Sequence, residues 1–193
     1  MKRLPAAAGV ALCLVCSALD AQNVQMGVAP GLLIPTGNFG KTAKTGWMMS
    51  ADVTVGLIGE TLGIRVEPDY IAVNGRYATL GRGYVQNFEI ASVMGNVVYT
   101  FRKATAWIRP YVLGGAGIVR VAEVIWLGAF SYVKPAYCGG VGVAMRVGTG
   151  SSRLFAEGKV VTVDTYRING VSTTFVPVRV GVRFATGWGL RQL

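Results

Sequence analysis

The chain has 193 residues, which is enough for one domain and short for two. Apolar residues make up 52% and charged residues 15%, which excludes a disordered protein, because disordered chains are rich in charge and poor in hydrophobic residues. The formal net charge is +10, and the sequence has no histidine, so the commonest general base and metal ligand among side chains is missing.

The N-terminus predicts a secretory signal peptide. Lys2 and Arg3 precede an apolar stretch over residues 6–15, and small residues follow it. We predict cleavage after Ala21, with Ala18 as the alternative site. A permanent N-terminal anchor is the weaker interpretation, because the apolar stretch is short for a spanning helix.

The remaining chain predicts a single all-β domain over residues 22–193, preceded by the signal peptide over residues 1–21. No uninterrupted apolar run after residue 22 approaches the ~20 residues that a membrane-spanning helix needs. Cleavage would leave Cys138 as the only cysteine, so no intramolecular disulfide is predicted.

Eight segments rich in Val, Gly and aromatic residues predict β-strands. Each is close to or longer than the ~9–11 residues of a tilted membrane strand. Their predicted bounds are 23–35, 47–58, 63–74, 86–101, 108–121, 132–147, 153–163 and 174–184.

Alternation along these segments predicts a polar interior and an apolar exterior. In the last segment one face carries Val176, Val178, Val180, Val182 and Phe184, and the other carries Pro177, Arg179, Gly181 and Arg183. The second, third and seventh segments repeat the pattern, with Phe155 as an apolar exception on the polar face. A membrane barrel with lipid outside has this pattern, whereas a soluble sheet turns its charged face to water.

The links between segments alternate in length. The long links are 36–46, 75–85, 122–131 and 164–173, and the short links are 59–62, 102–107 and 148–152. This order is typical of an even-stranded barrel with both termini in the periplasm. The apolar link 122–131 has a second interpretation, as a continuation of the two flanking strands. Aromatic residues near the segment ends predict interfacial girdles; these are Trp47, Tyr70, Tyr84, Tyr99, Phe101, Trp107, Tyr111, Tyr132, Tyr137 and Phe184.

Several stretches resemble the small eight-stranded outer-membrane β-barrels of the OmpA/OmpX type. Residues 31–40 (GLLIPTGNFG) are similar to their first strand end and first outer loop, and residues 109–117 (RPYVLGGAG) to their fifth strand. Residues 175–184 (FVPVRVGVRF) are similar to the closing strand, although nine residues follow Phe184 where the family usually ends. The resemblance implies an eight-stranded antiparallel up-and-down barrel, outer-membrane lipid as its surroundings, and the outer-membrane assembly machinery as a partner.

Charged residues predicted to face the lumen form a candidate network. They are Asp52, Arg65, Glu67, Asp69, Glu157, Lys159, Arg179 and Arg183, with Arg120 and Arg146 as further candidates. Buried charges are tolerated when they are paired, so we predict salt bridges that plug the lumen. The pairing we expect is Glu157 with Arg179 or Arg183, because the seventh and eighth strands are neighbours.

The sequence predicts no catalysis, cofactor or metal site. Glu67, Asp69 and Glu157 could serve as acid–base groups, but no nucleophile constellation accompanies them. The glycine runs at 114–117 and 139–142 lack the Lys-Ser/Thr continuation of a phosphate loop, and they are typical of bent strands.

The predicted outer loops are the candidate contact surface. They carry Lys41, Lys44, Arg76, Tyr77, Arg82 and Tyr84, which suit anionic lipopolysaccharide or another surface. No nucleic-acid partner is expected, because basic residues are scattered and export removes access to it. A monomer is expected, and no specific extracellular partner is predicted.

The sequence therefore predicts an integral outer-membrane barrel with a structural or surface-interaction role, such as adhesion or stress response. Two alternatives stay open. One is a soluble periplasmic, lipocalin-like barrel that binds a hydrophobic ligand and has its apolar side chains inside. The other is a narrow channel.

Overall fold

The computed structural model describes residues 24–75, 87–101, 103, 105–125, 128–148, 152–164 and 173–185. They form eight antiparallel strands and one short helix. In chain order these are β1 (Val24–Thr36), α1 (Phe39–Thr42), β2 (Gly46–Ile58), β3 (Leu62–Asn74), β4 (Asn87–Thr100), β5 (Ile108–Ile125), β6 (Gly128–Arg146), β7 (Arg153–Val163) and β8 (Thr173–Ala185). No helix in the described ranges is long and apolar enough to span a membrane.

The strands close into an up-and-down barrel. Each strand pairs with its neighbour in sequence, and β8 returns to pair with β1, with Val28 opposite Val182 and Leu32 opposite Val178. The predicted fold class, an eight-stranded antiparallel barrel, is confirmed. The predicted signal peptide and the residues beyond Ala185 lie outside the described residues.

The prediction of a long link between β5 and β6 is wrong, and its alternative, continued strand, is correct. The two strands remain paired up to Ile125 opposite Gly128. Continued pairing satisfies backbone groups that a long loop would leave to solvent. The result is a hairpin longer than any other in the described barrel, with strands of 18 and 19 residues.

The barrel has two distinct ends. At the short-turn end, β2 joins β3, β4 joins β5, and β6 joins β7 through brief links. Gly59 and Gly148 adopt positive φ in two of these links, a conformation that costs glycine little and other residues more. At the opposite end, the long-loop end, lie α1 and the tip of the β5–β6 hairpin.

The outer wall is apolar and the inner wall carries the charges. On β8, Val180 is 57% exposed while its neighbour Arg179 is 1% exposed. On β3, Val66 is 50% exposed while Glu67 is fully buried. This distribution is the inverse of a soluble barrel and matches the predicted faces.

Aromatic side chains stand on the outer wall near both ends. Trp47 and Tyr70 pack 5.8 Å apart, centroid to centroid, toward the long-loop end, and Tyr99 and Phe101 pack 5.1 Å apart toward the short-turn end. The prediction for Tyr111 is wrong, because its side chain points inward and is 3% exposed. It occupies an inward position of β5, in step with buried Arg109 and Leu113.

Candidate functional site

The barrel interior holds a central ion-pair network of the eight predicted residues from β2, β3, β7 and β8. Its members are Asp52, Arg65, Glu67, Asp69, Glu157, Lys159, Arg179 and Arg183, and all of them are buried. Four are acidic and four are basic, so the network carries no formal net charge. Each strand contributes because its inward positions alternate with the apolar outer ones.

Glu157 lies at the centre of the network. It is opposite Arg179 in the β7–β8 register, and Arg179 Nη2 lies 2.7 Å from its Oε1. Arg65 Nη1 reaches its other oxygen, Oε2, at 2.7 Å from β3. The Tyr111 hydroxyl donates to the same oxygen at 2.8 Å. One carboxylate thus links side chains from four strands.

Asp52 forms the part of the network nearer the short-turn end. Arg183 donates to its two oxygens from Nε at 3.0 Å and Nη2 at 3.2 Å, and Arg65 Nε lies 3.8 Å away. Gly27 of β1 stands between Asp52 of β2 and Arg183 of β8. A Cβ at Gly27 would lie 2.6 Å from Asp52 Oδ2. The absence of a side chain at Gly27 therefore makes room for the bridge.

Glu67 and Asp69 form the opposite part of the network. Glu67 receives a hydrogen bond from Arg179 and another from Lys159. Lys159 Nζ also lies 3.6 Å from Asp69 Oδ2, to which the Ser92 hydroxyl donates at 3.1 Å. The ion pairs thereby form a continuous chain from Asp52 to Asp69.

Two aromatic rings pack against the guanidinium groups. Arg183 Cζ lies 4.3 Å from the ring centroid of Phe155, and Arg179 Cζ lies 5.4 Å from it. Arg65 Cζ lies 5.3 Å from the ring of Tyr111. Stacking of this kind favours arginine. It explains the apolar exception on the polar face of β7.

An apolar layer fills the interior on the long-loop side of the network. Phe39 from α1 packs edge-on against Phe88, with centroids 5.7 Å apart, and lies 6.4 Å from Phe175. A cavity of about 70 Å³ remains beside these rings, lined also by Ile90, Val121, Tyr132, Val163 and Thr173. The lumen therefore changes from charged to apolar along its axis.

A second charged cluster lies at the short-turn end and was not predicted. Arg109 donates to the carboxylate of Glu60 and, at 2.8 Å from Nη2, to its backbone carbonyl. Arg153 Nη2 lies 3.6 Å from the same carboxylate. Strand alternation places both arginines on the inner face and could have found them. Glu60 lies in a turn, where alternation gives no signal.

The further inward candidates do not join the central network. Arg120 is exposed on the outer wall, because its neighbour Val119 takes the inward position and is fully buried. Arg146 is exposed at the last residue of β6. The prediction of Arg120 as a lumen charge is wrong, because apolar residues take the inward positions of β5. Arg146 lies opposite buried Arg153 in the β6–β7 register but is exposed at the strand end, so it does not join the network.

The predicted loop contacts are only partly described. Lys41 is exposed on α1, and Lys44 is exposed in the link that follows, where its backbone N–H donates to Asn74 at 2.8 Å. Both lie at the long-loop end. Arg76, Tyr77, Arg82 and Tyr84 lie outside the described residues.

No family model and no curated protein matches the chain. Several solved structures match it. Neisserial surface protein A aligns with a TM-score of 0.61 at 14% identity, covering 86% of this chain and 97% of that one. A major outer membrane protein from Thermus thermophilus aligns with the same TM-score at 10% identity, covering 86% and 100%.

The outer membrane protein OprG from Pseudomonas aeruginosa aligns with a TM-score of 0.56 at 12% identity, covering 86% of this chain and 96% of that one. The chain has the OmpA/OmpX-type outer-membrane barrel fold. At these identities the likeness establishes the architecture alone. A lipocalin-like interior is not favoured, because the charges of this barrel lie inside and its exposed valines outside.

Proposed function

We propose that the chain is an integral outer-membrane protein with a structural or surface-interaction role, a lumen closed to ions, and no catalysis. The observation that carries this proposal is a neutral, buried ion-pair network inside an apolar outer wall. In lipid a sheet must close on itself, and its charges must face inward and be paired.

Location in the outer membrane is supported by the outer wall. Its exposed residues on the described strands are apolar through the middle of the barrel, with aromatic pairs near both ends. An apolar band flanked by aromatic girdles is the pattern of outer-membrane barrels. The similar solved proteins carry outer-membrane or surface names, which agrees with this location.

A closed lumen is supported by its filling. The central ion-pair network crosses the interior, and the apolar layer with Phe39 lies above it. Eight strands enclose a space that side chains can fill. A conducting path would need to separate ion pairs such as Arg65–Glu157 and also wet the apolar layer.

The absence of catalysis is supported by the state of the carboxylates. Glu157 contacts two arginines and a tyrosine, and Glu67 contacts an arginine and a lysine. Both carboxylates are buried and bonded to side chains of the barrel, so they act as structural partners in its ion pairs. Within the described residues, no serine, cysteine or threonine donates to Glu157 or Glu67, and Ser92, which donates to Asp69, has no other side-chain partner beside it.

Two measurements test the proposal together. The detergent-solubilised chain, run on SDS gels before and after boiling, should migrate as two different bands, because a closed membrane barrel resists SDS until heated. In planar bilayers it should give a flat current trace. Discrete conductance steps would establish a channel, and a protein soluble without detergent would refute the membrane assignment.

The surface role is supported by the lysines at the long-loop end. Lys41 and Lys44 are exposed there, at the end predicted to face outward. Cations near the membrane surface attract anionic lipid head groups. Lipopolysaccharide binding should weaken in the Lys41→Gln, Lys44→Gln double variant and remain unchanged in Lys103→Gln, which removes an exposed lysine from the other end. Equal binding by the unaltered protein and both variants would remove this support.

A further inference from the structure

The outer wall carries one acidic and one basic side chain at the long-loop end. Among the described side chains at outward strand positions, only Glu89 of β4 and Arg120 of β5 are charged, and both are exposed. They are diagonal neighbours, because Glu89 is paired with Ala122 and Arg120 with Ala91. Diagonal neighbours are roughly 7–8 Å apart, within reach of long side chains. Neither forms an ion pair in the described part of the chain, so both charges are available to a ligand.

The lengths of the two strands place these charges at the edge of the apolar band. Over residues 108–118 of β5 and 91–99 of β4, every outward residue is apolar or small. Each stretch has the ~9–11 residues that a tilted membrane strand requires. Arg120 and Glu89 occupy the next outward positions beyond these stretches. At that depth a charged side chain meets lipid head groups rather than hydrocarbon.

The register of the neighbouring strands agrees with this depth. Tyr70, which packs on Trp47 near the long-loop end, is paired with Ala91, and Ala91 is paired with Arg120. Arg120 thus lies in the same row of paired residues as an aromatic residue of interfacial type. The two residues opposite the charges are both alanine, whose side chain is a single methyl group. The surface between the two charged side chains is therefore low.

We propose that Glu89 and Arg120 bind the zwitterionic head group of a membrane lipid, one that carries a phosphate and a primary ammonium. The guanidinium group of Arg120 donates to the phosphate oxygens, whose geometry it matches. The carboxylate of Glu89 accepts from the ammonium N–H groups. A choline head group has no N–H to donate, so it makes the first contact without the second. The proposal rests on the membrane location proposed above.

The test compares three lipids with the same acyl chains: phosphatidylethanolamine, phosphatidylcholine and diacylglycerol. Native mass spectrometry of the folded full chain, released from an uncharged detergent, measures the affinity for each. Phosphatidylethanolamine should bind about threefold more tightly than phosphatidylcholine, because an exposed ion pair is added. Glu89→Gln should abolish that preference. Arg120→Gln should weaken both phospholipids by about fivefold, the effect of one cation near the membrane surface, and leave diacylglycerol unchanged.

Arg146→Gln is the matched control, since it removes an exposed arginine from the other end of the barrel and should change none of the three affinities. Gel migration that still changes on boiling shows that each variant is folded. The site is refuted if the unaltered chain has no preference for phosphatidylethanolamine, if Glu89→Gln retains the preference, or if Arg146→Gln weakens phospholipid binding as much as Arg120→Gln. A chain soluble without detergent would instead refute the membrane location itself.

Discussion

At the scale of single residues, Glu157 is the point on which the interior depends. It forms ion pairs with Arg179 and Arg65 at once, at 2.7 Å in both cases. Removing one partner of a buried pair leaves an uncompensated charge, whereas replacing both with apolar groups is often tolerated.

We predict that Glu157→Gln lowers the free energy of unfolding by about 3–5 kcal/mol. Equilibrium unfolding in urea, with the folded band followed on unboiled gels, measures the loss. Glu89→Gln is the control, because Glu89 is exposed on β4 and should change stability by less than about 0.5 kcal/mol. Equal stability of the two variants would show that the network does not stabilise the barrel.

A second residue prediction concerns space. Gly27→Ala should destabilise the barrel by about 1–3 kcal/mol, because the added Cβ would crowd the Asp52 carboxylate and its bridge to Arg183. Gly139→Ala is the control, since a Cβ there has nothing within 4 Å. Thermal unfolding, read as the temperature at which the gel band shifts, compares them. A larger effect at Gly139 would contradict the assignment of the two faces.

Residue identity alone predicted the inner face but not every contact. Alternation runs through the charged stretches of β3, β7 and β8, with Phe155 as the one exception there, so the inward positions of Arg65, Glu157 and Arg179 follow from counting by two. In β5 the residues on both faces are small or apolar, so their alternation does not show which face points inward. The prediction therefore places Arg120 on the wrong face. The bridges to Glu60 depend on a turn conformation that periodicity does not encode.

At the scale of elements, strand bounds were predicted within two residues except at the β5–β6 hairpin. There the sequence predicts a link, although this apolar stretch has one glycine and no proline, and a scarcity of turn residues favours continued pairing. The docking of α1 was not predicted, because a single helical turn has no periodicity to detect. Its position depends on Phe39, which reaches into the apolar layer.

We predict that Phe39→Ala lowers the free energy of unfolding by about 1–3 kcal/mol, because it enlarges the apolar cavity and removes the contacts with Phe88 and Phe175. Lys41→Ala, an exposed position on the same helical turn, should have little effect. Urea unfolding of both variants decides between a packed helix and a free loop. No difference between them would mean that α1 contributes nothing to the filling of the lumen.

At the scale of the whole molecule, the outer wall decides between a membrane barrel and a soluble one. We predict that Val180→Arg costs about 2–4 kcal/mol in lipid, because it places a charge in the middle of the apolar band. Leu57→Arg, on the outer wall near the short-turn end, should cost about 0–1 kcal/mol. Both side chains are exposed, at 57% and 50%, so a soluble barrel would tolerate both substitutions equally. Unfolding of the two variants from lipid vesicles by urea measures the difference.

The sequence separation of the ion-paired residues sets a condition on how this barrel assembles. The ion pairs join distant parts of the sequence: Arg65 and Glu157 are 92 residues apart, and Asp52 and Arg183 are 131 apart. Adjacent hairpins therefore cannot fully neutralise their own network charges: β2 and β3 contribute three acids and one arginine, whereas β7 and β8 contribute one acid and three cations. A half-built sheet in the membrane would expose lone carboxylates and guanidinium groups to hydrocarbon, which is costly. Insertion must accordingly be cooperative, with the seam between the first and last strands closing as the charges meet.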